Sequence, residues 1–263
     1  MNLKSIFFLL AGNIALLQAQ TSDTCRIIKA IDIAIPAAMI TYGIISVESD
    51  VLKELDYSTR NELVEDNSMW YNGLDNYVQF SPAMLAFGLK LGGMESKHQL
   101  PDMFILYALS NVLETSVVFT TKKLTGRKRP DDSNSLSFPS GHTATAFVAA
   151  EFLHQEYGDK SVWISIGGYG MASLIGVFRV YNNKHWVSDV VAGAGVGILS
   201  TKIVYWIYPS IKKSFSKKDR KHQTFICPSY NNGSGCISNC RIILITTVLA
   251  NCEERSRKQS GIY

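Results

Sequence analysis

The chain has 263 residues, enough for one large domain or two small ones. Hydrophobic residues make up 46% and charged residues only 18%, a charged share below that of ordinary soluble domains. This argues for a membrane protein or for a soluble protein with heavily buried helices. The mean hydropathy of +0.06 is low for a fully embedded bundle, so both classes stay open. The net charge is +4, with the basic residues clustered.

The N-terminus has the pattern of a secretory signal peptide. Lys4 gives a positive start, an apolar stretch runs from Ser5 to Leu17, and small and polar residues follow it. We predict that residues 1–20 are this signal peptide, with an uncleaved anchor helix as the alternative. Either interpretation puts the rest of the chain on or across the cytoplasmic membrane.

Six apolar segments rich in Ala, Leu, Gly and Met follow, and no strand alternation of any length is visible. They predict an all-α bundle of about six helices over residues 21–209, embedded in a membrane. A membrane span needs about 20 apolar residues, so the last two segments are the clean candidates for transmembrane helices. Whether the first segment also crosses the membrane is open. Residues 51–76 are polar and are expected to face solvent. The six segments are 33–47, 77–93, 103–121, 143–153, 162–178 and 187–208.

Residues 210–263 are predicted to be a basic segment and a tail of unknown structure. Six Lys and Arg residues lie between 212 and 221, just after the last apolar segment. They are either a solvated helix end or a positive-inside signal that puts this end in the cytoplasm. Cys236 and Cys240 have no nearby His, so no metal site is expected there.

The stretch SFPSGHT, residues 137–143, stands directly before an alanine-rich segment. Ser140 and Pro139 suit a simple helix cap. A helix N-terminus also presents backbone N–H groups and a positive dipole, so the same stretch suits an anion site that includes Gly141 and His142. Other stretches of the chain are needed to decide between the helix cap and the anion site.

Two further stretches supply that evidence. KKLTGRKRP, residues 122–130, packs five cations into nine residues, although such a run is more often a solvated surface. In FRVYNNKHWVSD, residues 178–189, His185 and Asp189 are four residues apart and share a helix face. A carboxylate at that spacing can hold the imidazole Nδ1–H and fix its tautomer.

An up-and-down bundle would bring these groups together at one end. Lys122 and Arg129 follow the third helix, Ser140 to His142 begin the fourth, Arg179 ends the fifth and His185 begins the sixth. Three cations, a helix N-terminus and two histidines suit a phosphate ester, because phosphoryl transfer spreads negative charge over three oxygens. His185 is assigned the attack on phosphorus, and His142 the protonation of the departing oxygen.

The three stretches resemble the signature of the type 2 phosphatidic acid phosphatase superfamily. Lys122 and Arg129-Pro130, then Pro139-Ser140-Gly141-His142, then Arg179, His185 and Asp189 fall at the family's spacing; Phe178 replaces a usual Ser. The resemblance covers about residues 77–208. It implies a helical bundle, a phosphohistidine on His185 and His142 as general acid. It also implies five phosphate ligands: Lys122, Arg129, Ser140, Gly141 and Arg179.

The expected function is hydrolysis of a phosphorylated membrane lipid, without metal, cofactor or nucleic-acid partner. Lipid A phosphates, undecaprenyl diphosphate and phosphatidylglycerol phosphate are candidate substrates. The expected location is the bacterial cytoplasmic membrane with the site facing the periplasm. The alternative is a soluble periplasmic non-specific acid phosphatase. A vanadium haloperoxidase is disfavoured because those chains are generally longer, and a non-catalytic membrane protein is the remaining class.

Overall fold

The computed structural model of the protein describes residues 30–65, 73, 75–221, 226–231 and 234–239. The predicted signal peptide at residues 1–20 lies outside these ranges. Within them the chain forms eight helices and a two-stranded hairpin. The helices are α1 Ala30–Glu48, α2 Asp50–Glu65, α3 Asp75–Val78, α4 Ser81–Leu91, α5 Leu100–Thr125, α6 Gly141–Tyr157, α7 Val162–Tyr181 and α8 Val187–Lys221.

The all-α prediction is confirmed, with two corrections to its elements. Helices α2 and α3 lie in the stretch expected to be a polar, solvent-facing segment. In the tail, β1 Ile226–Asn231 pairs antiparallel with β2 Ser234–Asn239, although no strand was expected there. The chain divides into two compact units, Met1–Tyr208 and Pro209–Tyr263, and the hairpin belongs to the second.

Helix α6 is the centre of the first unit. Its alanines and the side chains of Phe152 and Leu153 are almost fully buried, since α6 packs against α4, α5 and α7. The small Ala side chains allow neighbouring helices to approach closely, and the large ones fill the space between them. One cluster joins Phe152 and Tyr157 to Ala86 of α4 and Met103 of α5. This packing fixes α6, whose first turn carries the predicted site.

Glycines on α8 allow helix backbones to touch. A Cβ on Gly193 would lie 2.5 Å from the carbonyl oxygen of Ser140, and one on Gly197 would lie 2.3 Å from that of Ala144. Both distances are shorter than Cβ atoms tolerate, so only glycine allows α8 to lie this close to the start of α6. A Cβ on Gly195 would likewise lie 2.7 Å from the carbonyl oxygen of Pro36, so α1 also packs against α8.

Three helices are long and apolar enough to cross a membrane: Leu100–Thr125, Val162–Tyr181 and the Val187–Lys213 part of α8. The expectation of two clean candidates was therefore too low. Helix α5 extends beyond the predicted segment at both ends, and the added length meets the requirement for a span. Helices α1 and α2 form a fourth candidate that is bent by 95° at their junction.

The glycine contacts predict a contrast between two Gly→Ala variants. Gly197→Ala should lower the melting temperature of the detergent-solubilised protein, because the new Cβ meets the backbone of α6. Gly170→Ala should be neutral or stabilise by up to about 1 kcal/mol, because it improves helix propensity where no atom lies within 4 Å. Thermal unfolding of both variants measures the difference, and equal melting temperatures would contradict the close contact.

Candidate active site

The start of α6 is joined to the start of α8 by a backbone hydrogen bond. The Ser140 N–H donates to the carbonyl oxygen of Asp189 at 3.0 Å. Ser140 occupies the N-cap position, but its hydroxyl makes no capping bond to the helix backbone and instead lies 2.9 Å from the Thr143 hydroxyl. Ser140 therefore has the position of a helix cap, as one interpretation of this stretch expected, but its side chain does not cap the helix. The two predicted helix junctions lie side by side.

Three cations are positioned around these junctions, and we call Lys122, Arg129 and Arg179 the cation cluster. Lys122, in the last turn of α5, donates to the carbonyl oxygens of Leu136 at 2.6 Å and Ser137 at 3.3 Å. Arg129 and Arg179 both act electrostatically on Lys122. Burial, and then the like charge of Arg179, lower the pKa of the Arg129 guanidinium. The ends of α5 and α7 and the loop after α5 thus hold three positive charges close together.

His185 lies beside the cation cluster in the turn between α7 and α8. Its backbone N–H donates to the Arg179 carbonyl oxygen at 3.3 Å, and its side chain is almost completely buried. Burial lowers the pKa of His185 from 6.5 to about 4. Asp189 opposes this shift, whereas Lys122 and Arg179 add to it. The imidazole is therefore neutral near pH 7, as a nucleophile must be.

Asp189 has more partners than the sequence suggested. Its Oδ2 lies 3.6 Å from Nδ1 of His185, which is longer than a hydrogen bond, and among the described residues Nδ1 has no hydrogen-bond partner. The same Oδ2 accepts hydrogen bonds from the Ser137 hydroxyl at 2.5 Å and the Trp186 N–H at 3.0 Å. Asp189 therefore sits beside the imidazole, and other groups hold it there.

His142 lies in the first turn of α6, at the more exposed side of the site. Its Nε2 lies 2.6 Å from Oδ1 of Asn76, which belongs to the short helix α3. Since the amide oxygen can only accept, the ring nitrogen donates in this contact. Asn76 was not predicted as a site residue, and nothing in the sequence around it indicates this contact.

Two charged residues to which the sequence analysis gave no role lie around Asp189 and its neighbour Ser188. Arg127 donates to Asp189 Oδ1 at 2.7 Å and to Asp56 Oδ2 at 2.8 Å. Asp56 also accepts from the hydroxyl and the N–H of Ser188. Arg127 was visible as part of the cation run, but Asp56 lay in the segment expected to face solvent. Asp56 is only 3% exposed, which corrects that expectation.

Comparison with known proteins identifies the family. Residues 103–213, which carry the cation cluster, both histidines and Asp189, match the PAP2 superfamily. This match agrees with the resemblance seen in the sequence. Among the described residues, no group of three or more His, Cys, Asp or Glu side chains could hold a metal ion.

Individual relatives cover the chain in part. A lipid A 1-phosphatase of Porphyromonas gingivalis is 36% identical over 174 residues, which are 66% of this chain and 37% of that protein. A non-specific acid phosphatase of Salmonella typhi is 36% identical over 93 residues, 34% of this chain and 35% of that protein. The chain thus spans little more than a third of the length of these two relatives.

A solved structure with similar helices is that of a transmembrane PAP2-type phosphatidylglycerolphosphate phosphatase from Bacillus subtilis. It superposes with a TM-score of 0.49 at 23% identity, over 73% of this chain and 98% of the other.

The buried, neutral His185 predicts a pH dependence of stability. The unfolded chain binds the proton near pH 6.5 and the folded chain only near pH 4, so stability is lost as the pH falls between these values. The full loss corresponds to roughly 3 kcal/mol. In phosphate-free buffers, the melting temperature of the wild type should fall more steeply from pH 7 to pH 4 than that of His185→Gln. Parallel curves would show that His185 is not buried in its neutral form.

Proposed function

We propose that the protein is a metal-independent phosphatase that hydrolyses a phosphate monoester or diphosphate of a membrane lipid through a phosphohistidine on His185. The observation that carries the proposal is that Lys122 and Arg179 act on a buried, neutral imidazole beside the N-terminus of α6. Such an arrangement binds a tetrahedral dianion and places a nucleophile against it.

The reaction divides into two balanced steps. In the first, Nε2 of His185 attacks phosphorus, since Nδ1 faces Asp189. The bond from phosphorus to the leaving oxygen breaks and His142 donates a proton to that oxygen, which releases the lipid alcohol from a monoester or the lipid monophosphate from a diphosphate. In the second, water attacks the phosphohistidine, His142 takes a proton from it, and the nitrogen–phosphorus bond breaks. Inorganic phosphate leaves and both histidines return to their starting states.

The cation cluster supplies the charge that this chemistry needs. The planar guanidinium groups of Arg129 and Arg179 match pairs of phosphate oxygens, and Lys122 adds a point charge. The first-turn N–H groups of α6, near Ser140 and Gly141, complete the phosphate ligands. Because these groups are held by helix ends and loops before substrate arrives, little reorganisation is needed in the transition state.

Three helices of spanning length and the relative in Porphyromonas gingivalis favour a lipid substrate. Lipid A carrying a 1-phosphate is the first candidate, followed by undecaprenyl diphosphate and phosphatidylglycerol phosphate. The basic residues after the last span put that end in the cytoplasm by the positive-inside rule. The opposite end of that span, next to His185, then faces the periplasm.

A soluble periplasmic acid phosphatase is the second candidate. The Salmonella typhi relative and the low mean hydropathy favour it. It would use the same histidines and cation cluster on small phosphate esters, without contact with a bilayer.

A substrate panel separates the two candidates. The purified full-length protein in detergent should release phosphate from lipid A, undecaprenyl diphosphate or phosphatidylglycerol phosphate at least about tenfold faster in kcat/KM than from para-nitrophenyl phosphate. The lipid tail is expected to contribute binding energy through the apolar helices. Turnover of para-nitrophenyl phosphate alone would instead support the acid phosphatase.

Two histidine variants test the intermediate. His185→Gln should reduce phosphate release by at least about 1,000-fold and abolish acid-labile labelling from a ³²P-phosphorylated substrate. His142→Gln should slow turnover but still form some labelled protein when the leaving group is para-nitrophenol, which departs without a proton. His154→Gln is the matched control, because His154 lies in the same helix and contacts Ser165 at 2.8 Å. Undiminished labelling of His185→Gln would rule out that nucleophile.

A further inference from the structure

Arg127 belongs to the cation run of residues 122–130 but not to the cation cluster. Its guanidinium lies between two carboxylates, with Asp56 on one side and Asp189 on the other. We propose that Arg127 and Asp56 are positioning residues that fix Asp189 beside His185, a role that rests on the proposed function of the site. We call the three side chains the Asp56–Arg127–Asp189 bridge.

The bridge is nearly closed to solvent. The side chain of Arg127 is 11% exposed, that of Asp56 is 2% exposed and that of Asp189 is fully buried. One guanidinium nitrogen, Nη1, donates to both Asp189 and the Ser188 hydroxyl at 2.7 Å, and Nη2 donates to Asp56. A planar guanidinium can hold two carboxylates in this way, whereas an ammonium acts as a single point charge.

Asp56 connects the bridge to helix α2. Its Oδ1 accepts from the Ser188 N–H at 3.1 Å and its Oδ2 from the Ser188 hydroxyl at 2.5 Å, so α2 also holds the first turn of α8. Nothing else about α2 requires a buried acid, and a buried carboxylate is costly unless it is paired. Asp56 is best explained by its two partners, Arg127 and Ser188.

The bridge acts on His185 through two routes. Arg127 holds Oδ1 of Asp189, which leaves Oδ2 directed at the Ser137 hydroxyl, the Trp186 N–H and the imidazole. The Arg127 guanidinium also lies 5.6 Å from the ring centroid of Trp186, the residue that follows His185. Removing Arg127 would leave two buried carboxylates without their shared cation and would free Asp189 to turn.

The charge balance around the imidazole would change in the same variant. Without Arg127, no positive charge offsets the negative charge of Asp189 beside His185, and this favours the protonated ring. The pKa of His185 should therefore rise, so that the neutral, nucleophilic ring is lost at a higher pH. The phosphate ligands are not touched. A loss of Arg127 should therefore lower kcat, while phosphate affinity stays nearly constant. It should also move the acidic limb of the pH profile, the range below the optimum in which kcat falls with pH, to higher pH.

The test compares four single variants, and one double variant that combines Asp56→Asn with Arg127→Met, in the full-length protein in detergent. Arg127→Met removes the bridging cation, Arg127→Lys keeps a charge, and Asp56→Asn removes the other end of the bridge. Lys128→Met is the matched control, since it removes one positive charge from an exposed side chain of the same loop. Kcat, KM, inhibition by inorganic phosphate and the acidic limb are measured for each, with the best substrate of the panel.

We expect Arg127→Met to lower kcat by about 10- to 100-fold with phosphate inhibition changed by less than about threefold. Its acidic limb should lie at a higher pH than that of the wild type. Arg127→Lys should recover part of the kcat, and Asp56→Asn combined with Arg127→Met should be no slower than Arg127→Met alone, because the pair acts as one unit. Lys128→Met should match the wild type.

The outcomes separate failure of the two proposals. A wild type that releases no phosphate from any substrate contradicts the proposed function, and the bridge is then judged from the pH dependence of thermal unfolding. That dependence should differ between Arg127→Met and Lys128→Met if the bridge sets the titration of His185. If the wild type is active, an Arg127→Met variant with unchanged kcat, or one that only weakens phosphate inhibition, overturns the positioning role. If Arg127→Met does not fold, Arg127→Lys and Asp56→Asn carry the same comparison.

Discussion

The whole arrangement depends on the burial of Asp189 among donors from three parts of the chain. Its carboxylate accepts from Arg127 and Ser137 of the loop after α5 and from the backbone of Trp186, and its own carbonyl oxygen accepts from Ser140 at the start of α6. A buried negative charge is tolerated only when such partners surround it. The same contacts align two helix junctions, so satisfying one carboxylate also assembles the site.

Electrostatics divide the cations of the loop between two tasks. Lys122 and Arg129 join Arg179, and three like charges held close together suit a negatively charged ligand. Arg127, only two residues from Arg129, instead bonds to both Asp56 and Asp189 and offsets part of their negative charge. The imidazole of His185 is adjacent to Asp189 and is also acted on by Lys122 and Arg179. A dianion that enters would replace repulsion among the cations with attraction.

Much of the fold could be predicted from the sequence, because α4 to α8 are apolar runs with clear ends. The spacing of the motifs likewise predicted that Lys122, Arg179 and His185 lie close together. The rest depends on contacts distant in the chain. The polar residues of 51–65 predict a solvent-exposed segment. Only the contact of Asp56 with Ser188, 132 residues away in the chain, shows that part of this segment is buried. Neither the inward turn of Arg127 nor the Asn76 contact of His142 has a local signal.

The glycines of α8 have a consequence for how such a site can vary. Where Gly193 and Gly197 face α6, one backbone rests on another, and there is no side chain between them to exchange for a larger or smaller one. The spacing of the two backbones beside the proposed site is therefore fixed. Any change in the size of the molecule that the proposed site accepts would then have to come from exposed side chains, such as Asn76 beside His142, which can be replaced without moving a helix.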